Sequence, residues 1–509
     1  MEKHIAIIDM GSNSVRLVIY YINTQGAIYK VDDLKRSIRL SGHLDEHGRI
    51  TDVGVELAIQ CLKQYKQLCD ARDVQYIKGV TTAALRQAQN RDEVIFEIFR
   101  QTDIQFEVLS GEEEARYGYL AVRSSMDIEE AFIVDIGGGS TEITYMKERN
   151  LVHSISLPYG AVNIMETFFK QQEVLNKDDL KCFYNEIKAT LKQIPWLKNK
   201  RCPVVGLGGT ARTIASIHQY KTRYSFNSIH NYKMDTYDVE HIFHLLRRTP
   251  LSSRSQIQGL SSGREDIILG GVAMYTAVMN YIDVDEFYIS TQGIRDGICL
   301  EILKQEVEQD LDEDIVSMHI KRFAHYYKIN TKHAEHVMHL SVELFRQLMQ
   351  AKILPYTEKE ARLLAVAAFL HDIGRTINVY NTANHTFYLL SNVNLPGLSH
   401  RERLIVALIA SYKKAKILRS RVHRFDDILN EQDEQLIKQL GVLLQFTRSL
   451  DRTASKQVEG VTVKYDGKKV TVECLVKKKR SIEIDLANEY IKHFRKHFGH
   501  LFEVKALKK

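Results

Sequence analysis

Two segments of this chain set an aspartate, glycines and hydroxyls between two apolar runs. Ile5 to Tyr20 reads IAIIDMGSNSVRLVIY, and Ala131 to Met146 reads AFIVDIGGGSTEITYM. In register, Asp9 matches Asp135, Gly11 matches Gly137 and Ser14 matches Ser140. A turn of this composition presents backbone N–H groups and hydroxyls with few side chains in the way, which is how a chain grips phosphate. Gly11, Ser12, Asn13 and Ser14 would do so from one side of a cleft, and Gly137, Gly138, Gly139, Ser140 and Thr141 from the other. Asp135 ends one strand and Glu142 begins the next, so both carboxylates can face a metal ion or a water beside the phosphate. Asp9 is a third candidate for that ion. Carboxylate and phosphate oxygens suit Mg²⁺, with Mn²⁺ as the alternative. The blander reading of Asp135 is that it caps its own turn.

Positioning such turns takes alternating strands and helices. Ile5–Asp9 and Val15–Tyr20 read as strands, Thr51–Cys69 as an amphipathic helix, Val74–Val80 as a strand and Arg91–Arg100 as a helix. Phe106–Leu109 leads through Ser110 and Gly111 into a helix that opens on Glu112, Glu113 and Glu114, acids that suit the positive end of a helix dipole. The pattern repeats from about residue 123, with a strand-turn-helix at Val204–Ile217 and a motif YISTQGIRDG at 288–297. Alternation of this kind implies sheets covered by helices. The acidic stretch EVEQDLDEDIV reads as a linker, and residues 315 to about 455 read as almost wholly helical. VTVKYDGKKVTVECLV is hairpin-like with Asp466-Gly467 as its turn, SIEIDL reads as a further strand and ANEYIKHFRKHFGHLF as a helix. The expected domains are 1–122, 123–305, 306–456 and 457–509.

At 509 residues the chain exceeds a single core. Hydrophobic content of 44% with 26% charged residues is that of a globular protein, and 6 Pro leave little room for extended linkers. The 6 cysteines have no CxxC spacing, which points to reduced thiols and a cytoplasmic location. The N-terminus lacks a signal-peptide layout and no apolar run is long enough to span a membrane. A net charge of +6 accommodates a polyanionic ligand without demanding one.

The turns, together with TTAALRQAQN (81–90), LSGEEEARYGYLAV (109–122), VDIGGGSTE (134–142) and GLGGTA (206–211), resemble the exopolyphosphatase/guanosine pentaphosphate phosphohydrolase (Ppx/GppA) family over nearly the whole chain. The resemblance implies an α/β fold of two actin-like, ribonuclease H-like domains forming a cleft, then an all-helical HD-like domain and a small α+β C-terminal domain. It implies Mg²⁺-dependent release of the terminal phosphate of a phosphate chain, water being the nucleophile. Glu114 aligns with the family's general base; preferring it to Glu112 and Glu113 rests on the resemblance alone. Arg86 resembles an arginine that neutralises phosphate, against the bland reading of a surface ion pair. Gly206, Gly208, Gly209 and Thr210 stand where related kinases hold adenosine, and here either touch the phosphate chain or close the cleft. Gly293, Arg295 and Gly297 complete a family motif read as structural. A homodimer is expected.

In the helical half, His333 (with Val337 four residues on), His371-Asp372 and Asp451 resemble the HD phosphohydrolase pattern. The candidates for a second metal site are His333, His371, Asp372 and Asp451, with His385 and His400 as added ligands. The favoured reading is a vestigial domain whose His and Asp groups satisfy one another. Two basic runs, Lys413, Lys414, Lys416, Arg419, Arg421, Arg424 and Lys477–Arg480, could form a track for a long polyanion. They tilt the reading to a processive exopolyphosphatase acting on inorganic polyphosphate. The alternative is a guanosine pentaphosphate (pppGpp) 5′-phosphohydrolase with pppGpp or ppGpp as ligand. Specific nucleic-acid and membrane partners are not expected. A kinase is disfavoured because it should exclude water rather than activate it, and a silent alarmone-binding regulator because the acids are intact.

Overall fold

The computed structural model describes residues 2–23, 28–170, 172–306, 314–477 and 481–508. It divides into two compact units, residues 1–224 with 229–311, and residues 225–228 with 312–509. The expected linker at 306–316 falls largely outside the described residues.

The first unit holds two sheets of one design. Strands β1 (Lys3–Met10), β2 (Ser14–Ile22), β3 (Ile28–Ser37), β4 (Tyr76–Thr81) and β5 (Phe106–Val108) lie in the order β3-β2-β1-β4-β5. Strands β6 (Ala131–Ile136), β7 (Thr141–Lys147), β8 (Asn150–Leu157), β9 (Val204–Leu207), β10 (Tyr232–Asp235) and β11 (Glu286–Ile289) lie in the order β10-β11-β9-β6-β7-β8. In each sheet the first strand pairs antiparallel with its hairpin partner and parallel with the next strand beyond, β4 or β9. The second sheet adds β10 at its edge.

Burial explains why β1 is apolar throughout. Ala6 and Ile8 face a core that includes Ile59, Leu62 and Tyr65 of the helix Asp52–Ala71. Ile5 and Ile7 face the opposite core, with Ile298, Cys299 and Leu303. A strand buried on both faces loses the alternation of a half-exposed one. The helix Ile294–Glu306, which follows the last strand of the second sheet, therefore packs on the first. Its Asp296 accepts hydrogen bonds from the Tyr20 hydroxyl at 3.1 Å and the Gly293 N–H at 3.0 Å, and pairs with Lys30 at 2.7 Å.

The second unit packs helices Ile315–Tyr326, Thr331–Gln350, Glu358–Leu370, Thr382–Asn392, His400–Ala410, Ala415–His423 and Glu431–Ser449. A three-stranded sheet of β12 (Val458–Tyr465), β13 (Lys469–Val476) and β14 (Leu501–Lys508) follows, with β13 and β14 parallel. The hairpin turns at Asp466-Gly467, as expected.

SIEIDL is not a strand. It opens the helix Ile482–Phe498. Its apolar alternation is overridden because the buried positions run Glu483, Ala487, Phe494 and Phe498, a helical spacing, while Ile482 stays exposed. The parallel pair β13 and β14 also needs a crossover between them, which this helix supplies. The sequence reading missed β14 for the same reason.

Removing Asp296 strands the buried Tyr20 hydroxyl. Asp296→Ala should lower stability by about 2 kcal/mol, measured by chemical denaturation, with Asp296→Asn costing less.

Candidate active site

The two glycine turns line one cavity of about 440 Å³ in the first unit. They are alike atom for atom: the Gly11 N–H donates to the Ser14 carbonyl at 3.0 Å, and the Gly137 N–H to that of Ser140 at 3.0 Å. Asp9 pairs in register with Arg16, and Asp135 with Glu142. The hairpins thus present equivalent positions to the cleft, Asp and Arg on one, Asp and Glu on the other.

Three glutamates open the helix Gly111–Arg123, and the structure separates them. Glu113 is spent on a capping box: the Ser110 hydroxyl accepts from the Glu113 N–H at 3.2 Å, and the Glu113 carboxylate accepts from the Ser110 N–H at 2.8 Å. Glu112 is exposed. Glu114 alone of the three is buried and lines the cleft. Arg86, about one-fifth exposed, ion-pairs with Glu114 and also donates to the Leu109 carbonyl at 2.8 Å. It holds the glutamate from behind and is not itself among the cavity-lining residues.

Burial pushes these acids up. Glu114 lies well above the ordinary carboxylate range through burial and then the charge of Glu142, with Arg86 opposing. Glu142 is raised to about 7 by burial and then by Asp135. Asp135 is raised to about 6 by burial, and Asp9 is also raised by burial while Arg295 at 3.3 Å opposes. Glu142 accepts a hydrogen bond from Ser156 at 2.7 Å.

Facing the acids is a group of cations, Arg16, Lys35, Arg212, Arg264 and Arg295, of which the sequence reading named only Arg295. Burial and then the mutual repulsion of the guanidiniums push Arg16 down to about 10. Lys35 reaches solvent, yet desolvation and then Arg264, Arg16 and Arg212 push it down to about 8. Arg212 and Arg264 are lowered by burial and then by neighbouring guanidiniums. Arg295, read from sequence as structural, lies in this group. Arg16 was legible in the repeat, since it stands where Glu142 stands in the second copy; nothing local marked Lys35 or Arg264. Asn13 Nδ2, Arg16 Nε and Arg295 Nε are buried donors without a hydrogen-bond partner. They fit a polyanion, whose oxygens would accept from them.

Other expected phosphate ligands stand differently. Ser12, Ser14, Gly137, Gly138 and Ser140 line the cleft, whereas Gly139 and Thr141 do not. Thr141 is fully buried and donates its hydroxyl to the Tyr159 carbonyl at 2.5 Å, so only its backbone remains for any such role. Gly208 and Gly209 line the cleft at the N-terminus of the helix Gly208–Thr222, an end that favours anions. Gly208 has φ +76°, and a Cβ there would fall 2.5 Å from Asp135 Oδ1, so only glycine fits. Gly206 and Thr210 lie outside the lining, Thr210 fully buried.

Asp9, Asp135 and Glu142 offer the hard oxygen set that Mg²⁺ prefers. They do not bring three oxygens within 4.8 Å of one another; among the described residues only His333, His371 and Asp372 form such a group. A magnesium ion would rest on one or two carboxylates and complete its shell with water and phosphate oxygens, its usual habit. His385 and His400 do not join the histidine group; His400 packs edge-on against Phe226 at 5.0 Å. Asp451 bonds His333 at 2.8 Å and stands behind it.

The model described as the Ppx/GppA phosphatase family matches residues 18–306, and the one described as Ppx/GppA phosphatase, domain III, matches residues 315–494. The chain belongs to the Ppx/GppA phosphatase family. As a member it is a hydrolase of phosphoric anhydrides. It is 27% identical over 413 residues, 79% of this chain and 78% of the relative, to a guanosine-5'-triphosphate,3'-diphosphate pyrophosphatase of Pseudoalteromonas atlantica. It is 25% identical over 503 residues, 95% and 96% of the two chains, to the protein of that name from Aliivibrio fischeri. The solved Ppx/GppA family member of Aquifex aeolicus is 33% identical with a TM-score of 0.53, covering 60% of this chain and 99% of its own. An exopolyphosphatase structure from Cytophaga hutchinsonii has a TM-score of 0.55 at 22% identity, over 60% and 98% of the chains, a likeness of fold alone. No helix among the described residues is long and apolar enough to cross a membrane.

A methyl on Gly111 would fall 2.2 Å from Ser156 Cβ, and Ser156 orients Glu142. Gly111→Ala should therefore cut the rate of phosphate release by about 10²-fold with little change in circular dichroism. A carboxyl raised on folding stabilises the fold only while protonated. Without divalent metal, stability should fall as pH rises from about 4.5 through about 7. Glu142→Gln should flatten that fall, raising Tm relative to the parent at pH 8 but not at pH 4.5.

Proposed function

We propose that the cleft hydrolyses the 5′-terminal phosphoanhydride of guanosine pentaphosphate, releasing orthophosphate and leaving the tetraphosphate. The observation that carries the chemistry is the buried Glu114, raised in pKa and alone of its three neighbours aimed into a cleft of phosphate-gripping turns. The substrate assignment draws on the relatives, which are named for guanosine-5'-triphosphate,3'-diphosphate and match across most of the chain.

The turn amides and the unpaired donors of Asn13, Arg16 and Arg295 hold the terminal phosphate. Glu114 accepts a proton from the attacking water as its oxygen bonds to phosphorus and the bridging P–O bond breaks. The shortened chain leaves as the anion. Arg86 keeps the carboxylate in place. Arg212, Arg264 and Lys35 neutralise the phosphates further along, and this matters most, since phosphoryl transfer asks for positioning and charge neutralisation. Mg²⁺ on Asp135 or Glu142, with Asp9 nearby, would add further neutralisation of the phosphate oxygens.

Inorganic polyphosphate is the second reading, favoured by the same run of cations. The basic runs that tilted the sequence reading towards it give less support than expected. Arg421 donates to Ser411 at 3.0 Å and Asn384 at 2.8 Å and covers the Phe387 ring, so the first run is not a continuous open track. Lys478, Lys479 and Arg480 lie outside the described residues.

Phosphate release with Mg²⁺ should be faster from guanosine pentaphosphate than from long-chain polyphosphate at matched concentrations of chain ends; the reverse order would make polyphosphate the substrate. Glu114→Gln should lose at least about 10²-fold in kcat while still binding the pentaphosphate in calorimetry. Retained turnover would move the base to another residue.

A further inference from the structure

Amides that grip phosphate must be pointed at it, and a run of glycines leaves their direction open. In the second turn, three successive carbonyls are taken up from one side. The Gly137 carbonyl accepts from the Ala161 N–H at 2.9 Å, and the Gly138 carbonyl from the Val162 N–H at 2.9 Å. The Gly139 carbonyl accepts from Asn163 Nδ2 at 3.0 Å. A trans peptide sets its C=O and N–H on opposite sides. Fixing these carbonyls therefore turns the N–H groups of Gly138, Gly139 and Ser140 the other way. Gly138 and Ser140 line the cleft, and none of the three N–H groups donates to a described residue. Successive free amides of this kind make a nest for an anion.

The three restraints differ in kind. Two come from backbone amides, which no substitution short of proline removes. The third comes from a side chain, and among the described residues Asn163 is the one donor to the Gly139 carbonyl. Asn163 is itself held. Its Oδ1 accepts from the Gly160 N–H at 2.6 Å, and Nδ2 also donates to the Pro158 carbonyl at 3.0 Å. These bonds decide which end of the amide is oxygen. A Cβ on Gly160 would fall 2.2 Å from the Gly138 carbonyl oxygen, so residues 158–163 lie hard against the turn.

The first turn is backed in a similar way, with one difference. The Ser12 carbonyl accepts from the Ser41 N–H at 3.0 Å and the Ser41 hydroxyl at 3.2 Å. The Asn13 carbonyl accepts from the Arg39 N–H at 3.0 Å. Each of these carbonyls has a backbone amide behind it. The Gly139–Ser140 peptide of the second turn depends on a side chain, so a single substitution can release it.

The geometry points to Asn163 as a positioning residue for phosphoanhydride hydrolysis: it holds the Gly139–Ser140 peptide so that the Ser140 N–H meets an oxygen of the phosphoryl group in transit. Asn163 is not among the cavity-lining residues and acts through the turn. The inference rests on the cleft being the hydrolytic site, and not on which phosphate chain it takes.

Full-length Asn163→Ala and Asn163→Asp test it, with phosphate release measured from guanosine pentaphosphate and from long-chain polyphosphate. Alanine removes the donor. Aspartate keeps the shape and the acceptor for the Gly160 N–H, but sets an oxygen against the Gly139 carbonyl. Each variant should lose about 10²-fold in kcat, the scale of one lost transition-state donor, on whichever chain the parent hydrolyses. KM should stay within about threefold of the parent, since the loss falls on the transition state, and far-UV circular dichroism should be unchanged. A purely structural part for Asn163 would spare the aspartate variant, or would move KM and the dichroism together with kcat. Parent-like kcat in either variant overturns the inference, and so does a loss carried by KM. The alanine variant decides if the aspartate one does not fold. A parent inactive on both chains would sink the hydrolytic reading and this inference with it, whereas an active parent with undiminished variants sinks Asn163 alone.

Discussion

The cleft of the first unit is organised by a single electrostatic constraint: charges of like sign are crowded where water is scarce. Asp9, Glu114, Asp135 and Glu142 are raised by burial, while Arg16, Lys35, Arg212 and Arg264 are lowered. Burial makes the charged form of each group costly, and a ligand of opposite charge offsets that cost. Acids and guanidiniums crowded in this way favour a ligand that carries both signs of charge.

That crowding is made tolerable by the duplicated sheets. Each hairpin delivers two side chains to the cleft from positions fixed by strand register, Asp9 with Arg16 and Asp135 with Glu142. Register, rather than loop conformation, sets their spacing, so thermal motion of a loop does not blur it. The repeat is not symmetric in charge. One copy carries Arg where the other carries Glu, so the duplicated fold presents Asp and Arg from one hairpin and two acids from the other. The helix Ile294–Glu306 follows the second sheet yet is packed on the first, and so carries Arg295 to Asp9.

Sequence pattern revealed the hairpins because glycine, hydroxyl and aspartate in a fixed order between apolar runs is a local signal. It also revealed the helix after Ser110, since a run of acids in a first helical turn is a local signal. It could not choose among Glu112, Glu113 and Glu114, because the choice depends on which face of the helix meets β7 and β8, a non-local fact. Arg264 and Lys35 were invisible for the same reason: each enters the cleft from an element with no motif of its own. SIEIDL failed differently. Period-two alternation over five residues is also compatible with a helix, and here the longer burial pattern through Phe498 and the crossover between parallel strands decided the outcome.

The two cavities differ in donor chemistry. The cleft offers carboxylate oxygens, two of them on residues raised to about 6 and about 7, and so suits a hard ion that keeps its water. The cavity of the second unit, lined by His333, His371 and Asp372, instead gathers two imidazoles and one carboxylate, the imidazoles bonded through Nδ1 to Asp451 and to the Ala368 carbonyl. Both are flanked by guanidiniums, yet only the cleft sets them against the glycine turns of a duplicated hairpin.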